Sequence, residues 1–253
     1  MDNIAEIMGI RLNLVGRKDL ARKTAEYMND DRMDVILFAD TGMVMDAADR
    51  KTYAVNLREA DLVLPAENAL FTRKELAFYK ERRFLIGQDG LGAILQCLEM
   101  ENISLYLVGD NEKDMRIFME SLKSLYPGIQ ITGAYHVEPE LREEFKVSDE
   151  IIVNEINGED TDLLVVMMSG TGQEEWIREN KTILRARICI GIGSVVGAYL
   201  HTHRSRQRGV SLSVFRKLHY YMVSGLKLMI KHKRRIFQKR IAQYNEENKD
   251  GQV

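Results

Sequence analysis

Three segments of this sequence combine residue types and spacing that could do chemistry, and each follows a short apolar run. Asp40 comes after the run 35–38, Glu67 comes after the run 62–64, and a loop of small residues at 169–172 follows a third run. Runs this short and continuous are typical of strands buried on both faces of a parallel sheet. Because the carboxyl ends of parallel strands meet at one edge, we expect the two carboxylates and the loop to line one crevice.

The loop at 169–172 reads Ser-Gly-Thr-Gly and joins a predicted strand to a predicted helix. The helical pattern begins at Gln173, with Trp176 and Ile177 as apolar positions among charged ones. Free N–H groups and the helix dipole favour an anion such as phosphate at a helix N-terminus. Such a loop also serves as a plain connection, so both interpretations stay open.

The elements that must position these residues alternate between strand and helix. Ile7 to Leu14 is predicted as a short strand or hairpin around Gly9, and apolar runs predict strands at 35–38, 62–64, 103–108, 129–134, 163–168 and 188–192. Helical spacing occupies the intervals at 19–28, 43–57, 68–80, 91–99, 112–125 and 139–156. This alternation predicts an α/β fold with a Rossmann-like, doubly wound, mostly parallel sheet.

The composition is that of a soluble globular protein. Of 253 residues, 45% are hydrophobic and 29% are charged, which suits one large domain or one domain with an appendage. Cys97 and Cys189 lie in apolar surroundings, so we expect no disulfide and a cytoplasmic location. No signal peptide is visible, and no apolar stretch reaches the roughly 18 residues that a membrane span needs.

The charge is distributed unevenly along the chain. Residues 180–245 hold 15 Lys and Arg and no Asp or Glu, whereas residues 1–179 hold 20 basic and 35 acidic residues. A basic C-terminal third indicates an anionic partner, such as phospholipid, nucleic acid or a phosphorylated substrate. We therefore predict an α/β domain at 1–200 and a basic, amphipathic, helical appendage at 201–253.

The appendage has an apolar stripe at helical spacing between residues 213 and 240, with basic residues on its flanks. Helices that lie on anionic membranes show this pattern. A helix that packs on its own domain, or on a partner subunit, gives the same pattern. No nucleic-acid-binding motif accompanies the charge, so we predict no nucleic-acid partner.

Several short motifs occur in the order found in a known family. They are Ile7-Met8-Gly9-Ile10, Glu59-Ala60-Asp61-Leu62-Val63-Leu64-Pro65, Gly87-Gln88-Asp89, Leu105 to Gly109, Tyr126-Pro127-Gly128, Gln173-Glu174-Glu175-Trp176-Ile177 and Gly191-Ile192-Gly193. As an ordered set they resemble the WecG/TagA/CpsF glycosyltransferases, glycosyltransferase family 26. The resemblance covers about residues 7–200.

The resemblance implies an activity, its partners and its location. It implies the transfer of an N-acetylhexosamine, such as N-acetylmannosamine, from a UDP-sugar to a polyprenyl-diphosphate-linked sugar. The transfer would be inverting and metal-independent, would need no cofactor, and would serve the synthesis of cell-surface polysaccharide or teichoic acid. The expected location is the inner face of the cell membrane, touched by the C-terminal appendage; the chain could also form a homo-oligomer.

Several positions depart from the family pattern. The family usually has Asp-Gly after the proline matched by Pro65, and that Asp is its presumed general base; here Ala66 and Glu67 occupy the two positions. A family Thr falls on Phe38, and the Asn two residues on is Asp40. The family's Pro and Lys before Gln173 and its Phe-Asp after the last glycines are also missing. Either another carboxylate acts as the base, or catalysis is lost while the fold remains.

Glu67 is the first choice for a base that accepts the acceptor's hydroxyl proton, because it lies one residue from the position of the family Asp. Its alternative is a carboxylate that offsets a helix dipole. Asp40 is the second choice, and its alternative is to hold the turn at Thr41-Gly42.

The leaving diphosphate would need N–H dipoles and arginine, for which Arg204, Arg206 and Arg208 are candidates. Their alternate spacing also suits a solvated loop. His201 and His203 have no Cys or acidic neighbour, so we predict no metal site. Asp89 could bind a sugar or ribose hydroxyl, or cap its helix, and Gln173 could bind a uracil or sugar, or cap its own helix. The remaining substrate-binding candidates are Thr41, Asn68, Gly87, Gly109, Gly170, Gly191 and Gly193.

Overall fold

The computed structural model describes residues 3–81, 84–137, 145–207 and 232–247. The first two strands, β1 (Asn3–Ile7) and β2 (Ile10–Leu14), pair as an antiparallel hairpin. Met8 and Gly9 have φ of 50° and 75°, which is the left-handed conformation that a two-residue turn of this kind needs. The predicted hairpin around Gly9 is thereby confirmed.

A six-stranded parallel sheet forms the centre of the fold. Its strands are β3 (Asp34–Ala39), β4 (Leu62–Pro65), β5 (Ser104–Gly109), β6 (Gln130–His136), β7 (Leu163–Met167) and β8 (Ile188–Gly191). They lie in the order β4-β3-β8-β7-β5-β6, and every pair is parallel. The predicted α/β class and the Rossmann-like parallel sheet are confirmed.

Helices cover the sheet. They are α1 (Arg17–Met28), α2 (Thr41–Asp49), α3 (Lys51–Arg58), α4 (Arg73–Glu81), α5 (Gln88–Glu99), α6 (Glu112–Leu125), α7 (Phe145–Gly158), α8 (Gly172–Asn180), α9 (Gly193–Gln207) and α10 (232–247). Strands β3, β4, β7 and β8 are buried at every position, because apolar residues pack against both faces. In β3, for example, Val35 and Leu37 join one apolar cluster, whereas Ile36 and Phe38 join the other.

The strand order creates a switch point at the carboxyl edge of the sheet. From β5 the chain proceeds to β6 at one end of the sheet, whereas from the neighbouring β7 it proceeds the opposite way to β8. Ligands of open α/β sheets bind in the crevice outside the carboxyl ends of strands at such a point. The carboxyl edge of the sheet is therefore the expected location of a ligand site.

Two predicted helices differ from the structure. The helix expected at 43–57 is interrupted at Arg50, whose φ of −125° and ψ of 101° are extended, so α2 and α3 are separate. The break lets α3 pack on α8, a tertiary contact that helical spacing alone does not reveal. The helix expected at 68–80 begins instead as a 3₁₀ turn, Asn68–Leu70, followed by α4.

Helix α10 packs on the α/β domain. Phe237 is fully buried in an apolar cluster with residues of β1, β2, α2 and α3, and Ile241 and Tyr244 pack against the same cluster while partly exposed. For residues 232–247 the structure therefore shows the alternative of a helix on its own domain. Residues 208–231, which hold much of the predicted stripe, lie outside the described residues, and α9 continues past residue 200 to Gln207.

Candidate functional site

Glu67 lies at the carboxyl edge of the sheet, two residues after β4. Its Oε1 atom accepts hydrogen bonds from the backbone N–H of Thr41 at 3.0 Å and from the Thr41 hydroxyl at 2.8 Å. Lys233 of α10 places its Nζ 2.8 Å from the same oxygen. One carboxylate thus joins the loops after β3 and β4 to the C-terminal helix.

These contacts determine the charge state of Glu67. Burial favours the neutral acid, but Lys233 and the two hydrogen bonds from Thr41 outweigh it and lower the pKa of the carboxyl. A general base works best when its pKa lies near the operating pH. Glu67 is therefore a stabilised anion in this structure, and removal of Lys233 would raise the pKa of its carboxyl.

Asp40 begins α2. Its Oδ1 accepts the N–H of Met43 at 2.9 Å, which is the N-cap arrangement that satisfies a free donor at a helix start. The structure thus assigns Asp40 the turn-holding role that was its alternative interpretation. A catalytic role for Asp40 stays a prediction, and Thr41 beside it is fully buried.

The loop between β7 and α8 is tied to the end of β5. Asp110 Oδ2 accepts the backbone N–H of Ser169 at 2.8 Å and its hydroxyl at 2.6 Å. Gly170 has φ of +70°, which glycine adopts without strain. Glu174 and Glu175 in the first turn of α8 already complement its dipole. Phosphate binding at this loop stays a prediction.

Gln173 lies inside the protein, with 2% of its surface exposed. Its Nε2 donates to Glu174 Oε1 at 2.7 Å, and its Oε1 accepts the backbone N–H of Gly193 at 2.9 Å. A Cβ on Gly191 would lie 2.7 Å from Gln173 Nε2, and a Cβ on Gly193 would lie 2.3 Å from Met168 O. These contacts give the three predicted binding residues a role in packing α8 against the end of β8.

The other predicted binding residues lie at different places along the same edge. Gly87, with φ of +56°, brings its chain so close that a Cβ would lie 2.4 Å from Ala66 O. Asp89 is exposed in the first turn of α5. Asn68 accepts a hydrogen bond from Arg234 Nη2 at its carbonyl, at 2.8 Å. At Gly109 a Cβ would meet the Met115 side chain at 2.9 Å.

The predicted arginines are only partly described. Arg204 and Arg206 lie in the last turns of α9, but their side chains, like those of His201 and His203, are outside what the structure describes. Arg208 is outside it entirely. Within the described residues, no cluster of three or more His, Cys, Asp or Glu could hold a metal ion.

Sequence reasoning missed the basic residues that do reach the site, Lys233 and Arg234 of α10. Both belong to the basic segment 180–245, and their spacing fits a helix that faces a membrane as well as one that packs on its own domain. The docking of Phe237 identifies which side of α10 faces the α/β domain. Arg240 adds an ion pair to Asp49 of α2 on the same face.

A parallel six-stranded sheet with carboxylates, amides and basic side chains along its carboxyl edge is the arrangement of a Rossmann-like α/β domain that binds its ligands at that edge. The chain belongs to the glycosyl transferase WecG/TagA/CpsF family, whose profile matches residues 5–203. It is accordingly a glycosyltransferase-family protein of cell-surface polysaccharide synthesis. No curated protein matches the chain.

Among the described residues, no helix has both the length and the apolar character required for crossing a bilayer.

Proposed function

We propose that the protein transfers an N-acetylhexosamine from a UDP-sugar to a polyprenyl-diphosphate-linked sugar, with inversion and without a metal ion. The observation that carries this proposal is the meeting of Glu67, Thr41 and Lys233 at the carboxyl edge of the sheet. An anion that can accept a proton and a cation that can face a phosphate lie side by side there. Both are needed for a transfer in which UDP leaves as an anion.

In the proposed reaction, Lys233 leaves the Glu67 carboxylate before Glu67 accepts a proton. The acceptor hydroxyl attacks the anomeric carbon of the donor, the bond from that carbon to the diphosphate oxygen breaks, and UDP leaves with the electron pair. Glu67 takes the hydroxyl proton after Lys233 has turned from the carboxylate toward the negative charge of the diphosphate. Arg204, Arg206 and Arg208 are the further candidates for contact with that diphosphate.

The proposed location is the inner face of the cell membrane, where a lipid-linked acceptor is reached. Support comes from the outer side of α10, where His232, Arg235 and Lys239 are exposed on the side opposite the buried Phe237 and Ile236 is exposed at its margin. Each basic residue near an anionic leaflet contributes about 1 kcal/mol. The predicted boundary near residue 200 and the homo-oligomer are retained as parts of this proposal.

A second candidate function is supported by the same carboxylate. Ala66 stands where the family has its presumed base, and Glu67 Oε1 is engaged by three donor atoms of two residues. A homologue that binds a nucleotide sugar, or organises a polysaccharide assembly complex without catalysis, would tolerate both features. This candidate predicts UDP binding without turnover.

One assay separates the two candidates. The purified protein is incubated in EDTA with a panel of UDP-N-acetylhexosamines and a polyprenyl-diphosphate-linked sugar, while released UDP and lipid product are measured. Product with equimolar UDP supports the transferase. UDP binding by calorimetry with no product from any donor supports the second candidate, and absence of both contradicts the nucleotide-sugar proposal.

A further inference from the structure

A chain of hydrogen bonds runs through the protein interior from α3 to the end of β8. The Tyr53 hydroxyl donates to Glu174 Oε2 at 2.9 Å, and Glu174 Oε1 accepts from Gln173 Nε2 at 2.7 Å. Gln173 Oε1 then accepts the Gly193 N–H at 2.9 Å. Tyr53, Glu174 and Gln173 expose only 4%, 2% and 2% of their surfaces, so water competes little for these bonds.

The Glu174 carboxylate determines the donor-to-acceptor direction of the hydrogen bonds in this network. An ionised carboxylate can only accept hydrogen bonds, so Gln173 must turn its NH₂ group toward Glu174 and its oxygen toward Gly193. A flipped amide would point its donors at another donor, the Gly193 N–H. Glu174 therefore selects the one orientation of Gln173 that binds the glycine segment 191–193.

The glycine segment is packed directly on that amide. Added Cβ atoms on Gly191 and Gly193 would lie 2.7 Å from Gln173 Nε2 and 3.0 Å from Gln173 Oε1. Gly193 is also the first residue of α9, and its N–H is one of the donors that a helix start leaves without an intrahelical partner. The Gln173 bond thus fixes where α9 begins.

Ser194, the residue after Gly193, links the start of α9 to the predicted active site. Ser194 donates its hydroxyl to Phe38 O at 2.5 Å, two residues before Asp40 at the end of β3. The start of α9 is therefore held from one side by Gln173 and from the other by β3. A shift of Gln173 would therefore move the start of α9 relative to the carboxyl ends of the paired strands β3 and β8.

Burial of the Glu174 carboxylate inside the protein costs free energy of folding. Its two side-chain partners, Tyr53 and Gln173, are neutral, and burial raises the pKa of its carboxyl. A fold that needed only packing here could use an apolar side chain instead. What the carboxylate adds is the fixed orientation of Gln173.

We propose that Tyr53 and Glu174 are positioning residues that hold, through Gln173, the segment 191–193 in the geometry that binds the nucleoside diphosphate of the donor. This inference rests on the proposed function for the identity of the ligand. Neither residue touches the ligand in this proposal. Their effect is on the affinity for the donor through the placement of the Gly193 backbone.

The test uses Tyr53→Phe, which removes one hydroxyl and leaves the ring. The control is Tyr106→Phe, because Tyr106 is also buried and also donates its hydroxyl to a carboxylate, Glu155 Oε1 at 2.6 Å, which is exposed on α7 and away from the 191–193 segment. Tyr53→Phe should lower the thermal midpoint more than Tyr106→Phe, because it leaves the buried Glu174 carboxylate without this donor, whereas water can replace the lost donor at the exposed Glu155. Only Tyr53→Phe should weaken UDP binding, by about tenfold in Kd.

Hydrogen exchange of the Gly193 amide gives a readout that does not depend on a ligand. Tyr53→Phe should accelerate this exchange relative to the unmodified protein, and Tyr106→Phe should leave it unchanged. Equal UDP affinity in both variants, or an unchanged Gly193 exchange rate in Tyr53→Phe, would overturn the inference. If the unmodified protein binds no UDP, the proposed function fails, and the Gly193 exchange rate alone decides whether the positioning role stands.

Discussion

Lys233 Nζ lies 2.8 Å from Glu67 Oε1, so a residue of the C-terminal helix α10 directly neutralises the carboxylate that sequence reasoning selected as the base. The two side chains are 49% and 27% exposed. Ion pairs this accessible contribute about 0–1 kcal/mol. The pair is therefore weak enough for a diphosphate to exchange with Glu67 as the partner of Lys233.

Glu67→Gln should lower turnover far more than it weakens UDP binding. The amide keeps the shape of the side chain but cannot take a proton, and general-base assistance accelerates a reaction by about 10²–10⁴-fold. Asp40→Asn tests the second candidate for the base in parallel, because asparagine also caps helices well and should leave α2 intact. Steady-state kinetics with calorimetry of UDP provides the comparison. Full turnover in Glu67→Gln would exclude Glu67 and direct attention to Asp40.

Lys233→Gln should move the acidic limb of the kcat/KM profile to higher pH. Lys233 lowers the pKa of Glu67, so its removal raises that pKa, and the ionised base is then lost at a higher pH on acidification. Arg235→Gln removes the same charge from the exposed side of α10 and should leave the limb in place. An unshifted limb in Lys233→Gln, measured on a soluble acceptor, would show that another group sets the profile.

Phe237→Ala should detach α10 from the domain. Phe237 is fully buried, and truncation of a buried Phe costs about 3–5 kcal/mol. Ile236→Ala changes the neighbouring residue, which is 49% exposed, and should lower stability little. Urea unfolding of both variants measures the difference. Equal free energies of unfolding would mean that α10 is not docked in solution.

Asp34→Asn should stabilise the protein at neutral pH and lose this effect on acidification. Burial, and then repulsion by Asp61, raise the pKa of Asp34 from 3.8 to about 6, although Arg32 opposes them at 3.0 Å. The Asp34 carboxyl thus binds a proton more readily in the folded protein than in the unfolded chain. The stability that this preferential protonation of Asp34 contributes is fully present below pH 3.8 and is lost as pH rises through about 6. The loss in free energy of unfolding is on the order of 3 kcal/mol.

The control for this prediction is Asp30→Asn, because Asp30 is 42% exposed in the same acidic cluster. Thermal unfolding between pH 4 and pH 7 should show the difference between wild type and Asp34→Asn growing with pH, and almost none for Asp30→Asn. A difference for Asp34→Asn that is constant over this range would contradict the assigned titration.

Anionic vesicles should retain the full-length protein at low salt and release it as salt rises. The Debye length falls from about 10 Å at 0.1 M to about 3 Å at 1 M, which screens basic residues such as Arg235 and Lys239. Arg235→Glu/Lys239→Glu should weaken sedimentation with vesicles while leaving the docked Phe237 in place. A full-length protein that stays in solution at low salt would contradict membrane association.

The strands of the parallel sheet could be predicted from the sequence because each strand shows a local pattern. Continuous apolar runs such as 163–168 belong to strands that are covered on both faces, and the small residues after them mark the carboxyl edge. The break at Arg50 carries no Pro or Gly signal, so helical spacing on both sides concealed it.

The site could be predicted only in part, because its main contacts join distant segments. Tyr53 and Glu174 are separated by 121 positions, and Glu67 and Lys233 by 166. A stripe that contains Phe237 among basic residues has the same spacing whether the helix packs on a membrane or on its own sheet. Burial of Phe237 is a tertiary fact that resolves this ambiguity for 232–247.

Formation of a lipid-linked disaccharide is the measurement that tests the central claim most directly. The unmodified protein and Glu67→Gln are each given a UDP-N-acetylhexosamine and a polyprenyl-diphosphate-linked sugar in EDTA, and the product and its anomeric configuration are determined. We predict an inverted product from the unmodified protein, formed with equimolar UDP, and a rate lower by about 10²–10⁴-fold in the variant. UDP bound by both proteins with no product from either would contradict the transferase and establish a nucleotide-binding homologue.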